Sequence, residues 1–392
     1  MPKRVVGVYL LLNFLVSLSM AYMAGTYITF LRHHGLDYVS AIIPNIAYFV
    51  TIFIFELPTG AIADVFGRKF SFVLSCFIWV AAKVVYFFAD NLLAFVAAEI
   101  IAAIGQTCAS GAFEAWVVDS LRHEGYKGET VKIFSSGLKT KQAAMIVGAI
   151  VGTWVSKDNI AMPWIAGAIT FFITAILAMF LMKEKYFVKK NFSFVSGCKE
   201  VGKTIQRGGE CVLKNKNIRF VITSSAVLAF AVQAPNMQWQ PFFQGLGVNR
   251  LFFGWLFAFI AIAAMIGSHY GPWLLQKIKS ERKAISITLS LVGLFVFLTA
   301  IGAFKLFLAL PAFLTHEIFR GLYQPIKSQY LNENIASEER ATLNSFESLT
   351  SHVFGAAGLV VSGVLAKELS VEWCWLIFGL ATILASWKIN KK

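Results

Sequence analysis

The sequence predicts an all-α membrane protein of about twelve transmembrane helices, arranged as two pseudo-symmetric bundles of six. Three observations carry that expectation. Of the 392 residues 57 % are hydrophobic and only 14 % charged, which leaves too little polar surface to cover a water-soluble fold of this size. The apolar residues gather in runs of about 20, the length that crosses a bilayer as a helix. The longest polar interval, 183–219, is basic and falls midway, separating an N-terminal bundle (1–182) from a C-terminal one (220–392).

In chain order, the first run, Val5–Leu31, follows the basic start Met1-Pro2-Lys3-Arg4. It is too long for the apolar region of a signal peptide, and no small-residue cleavage site precedes a polar segment, so it reads as the first membrane helix. The runs Tyr38–Ile62, Phe70–Ala89, Leu92–Leu121, Val131–Ser156 and Ala161–Met182 complete the first half. The second half reads as Phe220–Phe243, Leu251–Leu275, Ala284–Ile301, Lys305–Leu331, Ala341–Leu365 and Val371–Trp387. Within 183–219, Phe192, Phe194, Val195, Val201 and Ile205 are interspersed with lysines, which suits either an interfacial amphipathic helix or a solvated linker.

The net charge of +14 is distributed as a topology signal rather than as a nucleic-acid footprint. Most Lys and Arg fall at the two termini and in alternate loops beginning with Val65–Lys69, so both termini are expected in the cytoplasm, and no nucleic-acid partner is expected. The five cysteines are scattered, without CxxC spacing, and indicate neither a disulfide framework nor a metal site. The halves echo each other faintly: Gly148 and Gly152 in the fifth run and Gly355, Gly358 and Gly363 in the eleventh stand at spacings that let helices pack closely in lipid. The fourth and tenth runs each hold a glutamate, Glu99 and Glu317.

The stretch GAIADVFGRKF lies in the turn after the second run and fits the pattern G-x-x-x-D-x-x-G-R-K at Gly60, Asp64, Gly67, Arg68 and Lys69. In physical terms, Gly60 permits close helix contact, Asp64 can accept from exposed N–H groups at a helix start, and Gly67 permits a tight turn. With the helix count and the central basic interval, this resembles the major facilitator superfamily. The resemblance implies two six-helix bundles around a solute pathway, drug-efflux-like bacterial members being the nearest in type. It also implies that Arg68 meets an acid, for which Asp119 is the candidate, in a latch of the outward-open state. PIKSQYLNENIASEERATLNSF, with Pro325, Tyr330, Leu331, Asn332 and Arg340, resembles another stretch of many bacterial members. Two departures weigh against a drug antiporter: Glu99 stands where such members often place a buried arginine, and GAIVGTWVS lacks the proline of their fifth helix.

Charges inside apolar sequence cost about 3 kcal/mol each on insertion scales unless paired or facing water. Acids there are Glu56, Glu99, Glu114, Glu317 and Glu347; bases are Lys83, Lys139, Lys141, Arg320 and Lys327. Glu317 and Arg320 stand at a spacing that pairs them within one helix. Proton coupling needs a carboxylate whose surroundings change between states, and Glu56, Glu99 and Glu114 are the candidates. On an unbroken helix Glu99 and Glu114 lie about 60° apart and roughly 22 Å along the axis, so they could line one aqueous path. Glu56 has a second reading as a buried partner for a base such as Lys139.

In the seventh run Gln233, Asn236, Gln238, Trp239 and Gln240 surround Pro235 and Pro241. Lipid cannot satisfy so many amides, which marks them as cavity candidates beside Glu317, Arg320, Tyr323, Gln324 and Lys327 of the tenth run. His316 shares that mixed-charge face, and Asn13, Tyr22 and Tyr27 of the first run are weaker candidates. No phosphate-binding GxxxxGK[ST], metal cluster or nucleophile motif is present, so no enzymatic activity and no cofactor is expected. The sequence thus leads to a monomeric multi-pass protein of a bacterial inner membrane, whose partners are a small-molecule substrate and the lipid bilayer. An ion gradient or the solute's own gradient would drive it: proton-coupled efflux of small organic compounds is expected first, proton-coupled import of a polar or anionic solute second and a uniporter third, with a non-transporting receptor or scaffold as the alternative of another class.

Overall fold

The computed structural model describes residues 2–184, 209–212, 214–334 and 340–391. The predicted interfacial segment with Phe192 to Ile205 lies outside them, as does Ile335 to Glu338 of the second family-like stretch. The first half forms α1 (Pro2–Ala21), α2 (Tyr27–His33), α3 (Ile43–Phe66), α4 (Arg68–Phe88), α5 (Leu92–Ala109), α6 (Ala112–His123), α7 (Thr130–Val155) and α8 (Met162–Leu181). The second half forms α9 (Lys216–Ala231), α10 (Gln233–Gly245), α11 (Phe253–Ile278), α12 (Glu281–Ile301), α13 (Leu306–Asn334), α14 (Arg340–Glu368) and α15 (Val371–Lys391).

Each apolar run therefore coincides with a helix or a helix pair. Among the described residues, nine stretches are long and apolar enough to cross a membrane. Three do not meet that test. Only Ser40–Glu56 of the second run counts, as a shorter apolar segment; α7 carries Lys132, Lys139 and Lys141, and α13 carries His316, Glu317, Arg320 and Lys327. Large apolar side chains such as Phe88 (74 % exposed), Trp154 (73 %) and Phe180 (75 %) face outward, as lipid-facing positions require.

The first, fourth and seventh runs are each interrupted, the fourth and the seventh for a local reason. Between α1 and α2 the chain turns through Tyr22–Thr26, where a Cβ on Gly25 would lie 3.1 Å from the Gly254 nitrogen. Between α5 and α6, Gly111 adopts φ +70°, a left-handed conformation that glycine takes without penalty. Between α9 and α10, Pro235 has no N–H to offer the Ala231 carbonyl, so the helical ladder lapses there.

Two compact units emerge. The first comprises Met1–Leu36, Ile43–Cys198 and Asn249–Ala258; the second comprises Asp37–Ile42, Lys199–Val248 and Phe259–Lys392. Each therefore includes a short segment from the other half of the chain, which the split at 183–219 did not foresee.

In the first unit, α4 packs on α5 and α8, and α1 on α7. Its core includes Tyr9, Leu12, Phe72, Trp79, Trp116 and Phe171. Gly152 lies against the Tyr22 carbonyl oxygen, which any Cβ would overlap. Gly152→Ala should therefore lower thermal stability by about 1–3 kcal/mol, the usual range for overpacking, read by thermal unfolding in detergent. An unchanged midpoint would show that the α1–α2 turn gives way freely.

In the second unit, α12 packs on α13 and α15, and α9 on α14. Asp37 pairs with Lys367 at 2.8 Å and also accepts from the backbone and hydroxyl of Ser40. The Lys367 hydrogen bond first, then the Ser40 donors, hold the Asp37 carboxyl well below the usual carboxylate range. Because that pKa is depressed on folding, the contribution is present above the ordinary aspartate pKa and is lost as pH falls through the depressed value.

Candidate functional site

The turn carrying the GAIADVFGRKF motif joins α3 to α4. Gly67 takes φ +100°, again open to glycine alone, and a Cβ there would lie 2.7 Å from Glu184 Oε2. That close approach lets the Glu184 carboxylate accept from the backbone N–H groups of Arg68 (2.8 Å) and Lys69 (3.0 Å). An anion thus caps the α4 N-terminus, where the helix dipole favours it. The sequence reading gave that capping role to Asp64. Asp64 lies in the last turn of α3, before Gly67, and the cap comes from Glu184 just after α8. The surroundings of Gly60 and the side chain of Asp64 lie outside what the structure describes. Arg68 Nε stands 2.8 Å from Asp119 Oδ2, both side chains a little over a quarter exposed, and the Lys69 ammonium donates to the Met179 carbonyl at 2.6 Å.

Of the three proton-coupling candidates, Glu56 and Glu114 are exposed. Glu56 is therefore not the buried partner of Lys139, itself exposed. The shared-path geometry for Glu99 and Glu114 also lapses, because the helix breaks between them at Gly111. Glu99 has a built environment. Its Oε1 accepts from the hydroxyls of Tyr27 on α2 (2.9 Å) and Tyr86 on α4 (2.5 Å), and Asn45 of α3 donates to the Tyr27 hydroxyl at 3.0 Å. Tyr86 stacks on Trp164 of α8, with centroids 3.8 Å apart and planes 2° apart.

Beside this network Lys83 is fully buried. Its ammonium lies 5.5 Å from the ring centroids of Trp79, Trp164 and Phe171 and 3.2 Å from the Met23 sulfur. Among the described residues no carboxylate lies within the 4.0 Å of an ion pair, and Glu99 is the acid that acts on it through space. Aromatic faces stabilise such a cation when water is excluded. Gly167 makes room for it, since a Cβ there would meet the Lys83 chain at 2.9 Å.

In the second unit α13 brings three of the predicted cavity residues together. Arg320 donates to Asn236 Oδ1 of α10 at 2.8 Å and to Glu317 at 3.3 Å. Arg320 is 34 % exposed and Glu317 only 4 % on the side chain. The fully buried His316 has Nδ1 2.9 Å from the Phe313 carbonyl oxygen, so that nitrogen carries the proton. Its Nε2 has no hydrogen-bond partner and faces Glu317 Oε1 at 3.9 Å. Two acceptor atoms face each other there without a hydrogen bond between them.

The remaining cavity candidates divide. Lys327 is committed to Glu347 at 3.0 Å, close above the Tyr323 ring, and the Tyr323 hydroxyl is held between Ser224 and Ser225. Gln238 is 1 % exposed: its amide donates to the Ser362 carbonyl and its oxygen accepts from the Trp375 indole, each at 2.9 Å. It ties α10 to α14 and α15. Trp239 and Gln240 are buried, Gln233 bonds back to the Ala229 carbonyl, and Gln324 is exposed. Lys83, Tyr86, Asn45 and Glu184 are the residues sequence reasoning missed. The only signal for Lys83 was a base inside an apolar run.

The comparisons agree with this architecture. The family model described as Major Facilitator Superfamily matches residues 9–315 and again 219–389. A protein of Bacillus subtilis (strain 168) described as an uncharacterized MFS-type transporter, YxaM, is 22 % identical over 366 residues, covering 93 % of this chain and 88 % of that protein. Among solved structures, the nucleoside transporter NupG shares the fold with TM-score 0.82 at 14 % identity, over 98 % of both chains. A bacterial homologue of the iron transporter ferroportin, in an inward-facing state, shares it with TM-score 0.76 at 14 % identity, over 100 % of this chain and 99 % of that one. With the family model matching nearly the whole length, this chain belongs to the Major Facilitator Superfamily of multi-pass membrane transport proteins.

Proposed function

We propose that this chain is a proton-coupled secondary transporter that exports small organic compounds by alternating access, with Glu99 as its proton-carrying carboxylate. The observation that carries the reading is the Glu99 environment. Its partners are phenolic hydroxyls, which can donate to a carboxylate or accept from a carboxylic acid, so both protonation states are accommodated by the same contacts. A salt-bridged acid such as Glu347 lacks that freedom. The interrupted first, fourth and seventh runs support the same reading, because transporters commonly build solute and ion sites where membrane helices are discontinuous. No cofactor enters the cycle.

A second reading, import of an anionic solute, is favoured by the part-exposed guanidinium of Arg320 beside Asn236. Lys327, the other basic cavity candidate of the tenth run, is less apt to bind an anion while bound to Glu347. The protein is taken to act as a monomer in a bacterial inner membrane with both termini in the cytoplasm.

The test is a thermal-shift screen of purified protein against a solute panel at two pH values, followed by counterflow of the best ligand in proteoliposomes. Exchange of labelled solute is expected, and binding without exchange would mark a receptor or scaffold instead. Within this reading Arg68 and Asp119 form a gate. Arg68→Ala should slow exchange several-fold and leave ligand affinity unchanged, with rescue by Arg68→Lys incomplete because lysine cannot reproduce the guanidinium geometry. A change confined to solute selectivity would contradict the gate.

A further inference from the structure

In the second unit a cavity of about 500 Å³ opens between α9, α12 and α15, away from every residue assigned above. Its lining divides by position. Lys216 and Arg219 at the start of α9, Arg282 at the start of α12 and Lys388 near the end of α15 gather at one end. From there Phe220, Thr223, Val227 and Ala385 continue along the helices as a wall that is apolar except for the Thr223 hydroxyl. Lys216 and Val227 stand roughly 16 Å apart on α9, and α9 belongs to a stretch apolar enough to span the membrane. Among the described residues no acidic side chain lines the cavity.

We propose that this cavity holds an anionic phospholipid, its phosphate among Lys216, Arg219, Arg282 and Lys388 and the start of an acyl chain along Phe220 and Val227. Arg282 is the sharpest indication. Its guanidinium lies 4.7 Å from the Phe220 ring and donates to the Ile389 carbonyl at 3.4 Å, while its buried Nε has no hydrogen-bond partner. A guanidinium on the cavity wall held by so long a hydrogen bond would gain from a phosphate oxygen, which accepts with charge. The N-termini of α9 and α12 add partial positive charge at the same end. A free phosphate would use the basic end alone; the apolar wall that continues from it into a spanning helix matches the lipid. Basic pockets between membrane helices recognise anionic headgroups by this chemistry. The site is independent of the transported solute.

The test is native mass spectrometry of the purified full chain titrated with phosphatidylglycerol, phosphatidylcholine or inorganic phosphate. One phosphatidylglycerol should be retained in preference to phosphatidylcholine, and inorganic phosphate at the same concentration should not displace it. The double substitution Arg219→Gln with Arg282→Gln should weaken retention about 30-fold, at roughly one kcal/mol or somewhat less per basic residue. Lys216→Gln with Lys388→Gln, both exposed and outside the packed core, should weaken it in the same direction, which covers the case in which loss of Arg282 disturbs folding. Lys277→Gln with Lys279→Gln, basic but outside the lining, should change nothing. Equal retention of phosphatidylcholine, displacement by inorganic phosphate, or an equal loss in the control pair would each overturn the proposal.

Discussion

Glu99→Gln is expected to reduce gradient-driven transport to background while leaving solute exchange at equal pH in place. Glutamine keeps an oxygen that can accept from Tyr27 and Tyr86, so the local packing survives, but it cannot take up or release a proton. The comparison variant is Tyr86→Phe, which removes the shorter of the two contacts and keeps the ring that stacks on Trp164. It should retain coupling at a reduced rate. Measured side by side in proteoliposomes, the pair separates loss of the proton from loss of a hydrogen bond. Full gradient-driven flux in Glu99→Gln would remove this residue from the coupling role.

The second large effect concerns stability. Lys327 and Glu347 pair at 3.0 Å with side chains only 8 % and 16 % exposed, and Ser351 also donates to Glu347. Removing one partner strands a buried charge, so Glu347→Leu should destabilise the protein by about 3–5 kcal/mol. Replacing both, as Lys327→Met with Glu347→Leu, should recover most of the loss, because an apolar pair of similar volume avoids the desolvation cost of the ions. Thermal unfolding of the wild type, both single variants and the double variant closes the cycle. Additive losses would show that the two residues act independently. If the double variant is stable yet no longer transports, the pair belongs to the solute pathway as well as to the fold.

Much of the architecture is legible from apolar run length, because a bilayer demands unbroken backbone pairing over a fixed thickness. Hydropathy does not register interruptions inside a run. Leu92–Leu121 reads as one helix, yet Gly111 with φ +70° divides it, and that break invalidates any angular relation drawn between Glu99 and Glu114. Pro235 was visible in the seventh run, and its consequence at Ala231 follows from ring geometry alone.

The candidate site was legible where partners are near in sequence and obscure where they are distant. The Glu317 and Arg320 contact is one helical turn and could be read directly, whereas Asn236 joins them from another helix. Gln238 resembles its neighbouring amides in sequence, but Ser362 and Trp375 draw it into the core from more than a hundred residues away. Lys83 is a lone base in sequence; its setting comes from Met23 between α1 and α2 and from Trp164 and Phe171 of α8, each far from it in the chain. Asp64 and Glu184 illustrate the same limit at the α4 N-terminus, where a carboxylate distant in sequence takes the capping place.

The most direct test of proton-coupled export uses proteoliposomes with a pH difference across the membrane, loaded with the solute that stabilises the protein most in the thermal screen. An exchanger sends protons from the acidic to the alkaline side and solute the opposite way, so solute should accumulate on the acidic side whichever way the protein is inserted. The accumulation should vanish with a protonophore, in Glu99→Gln and in protein-free liposomes. Accumulation on the alkaline side, or flux indifferent to the pH difference, would contradict the account.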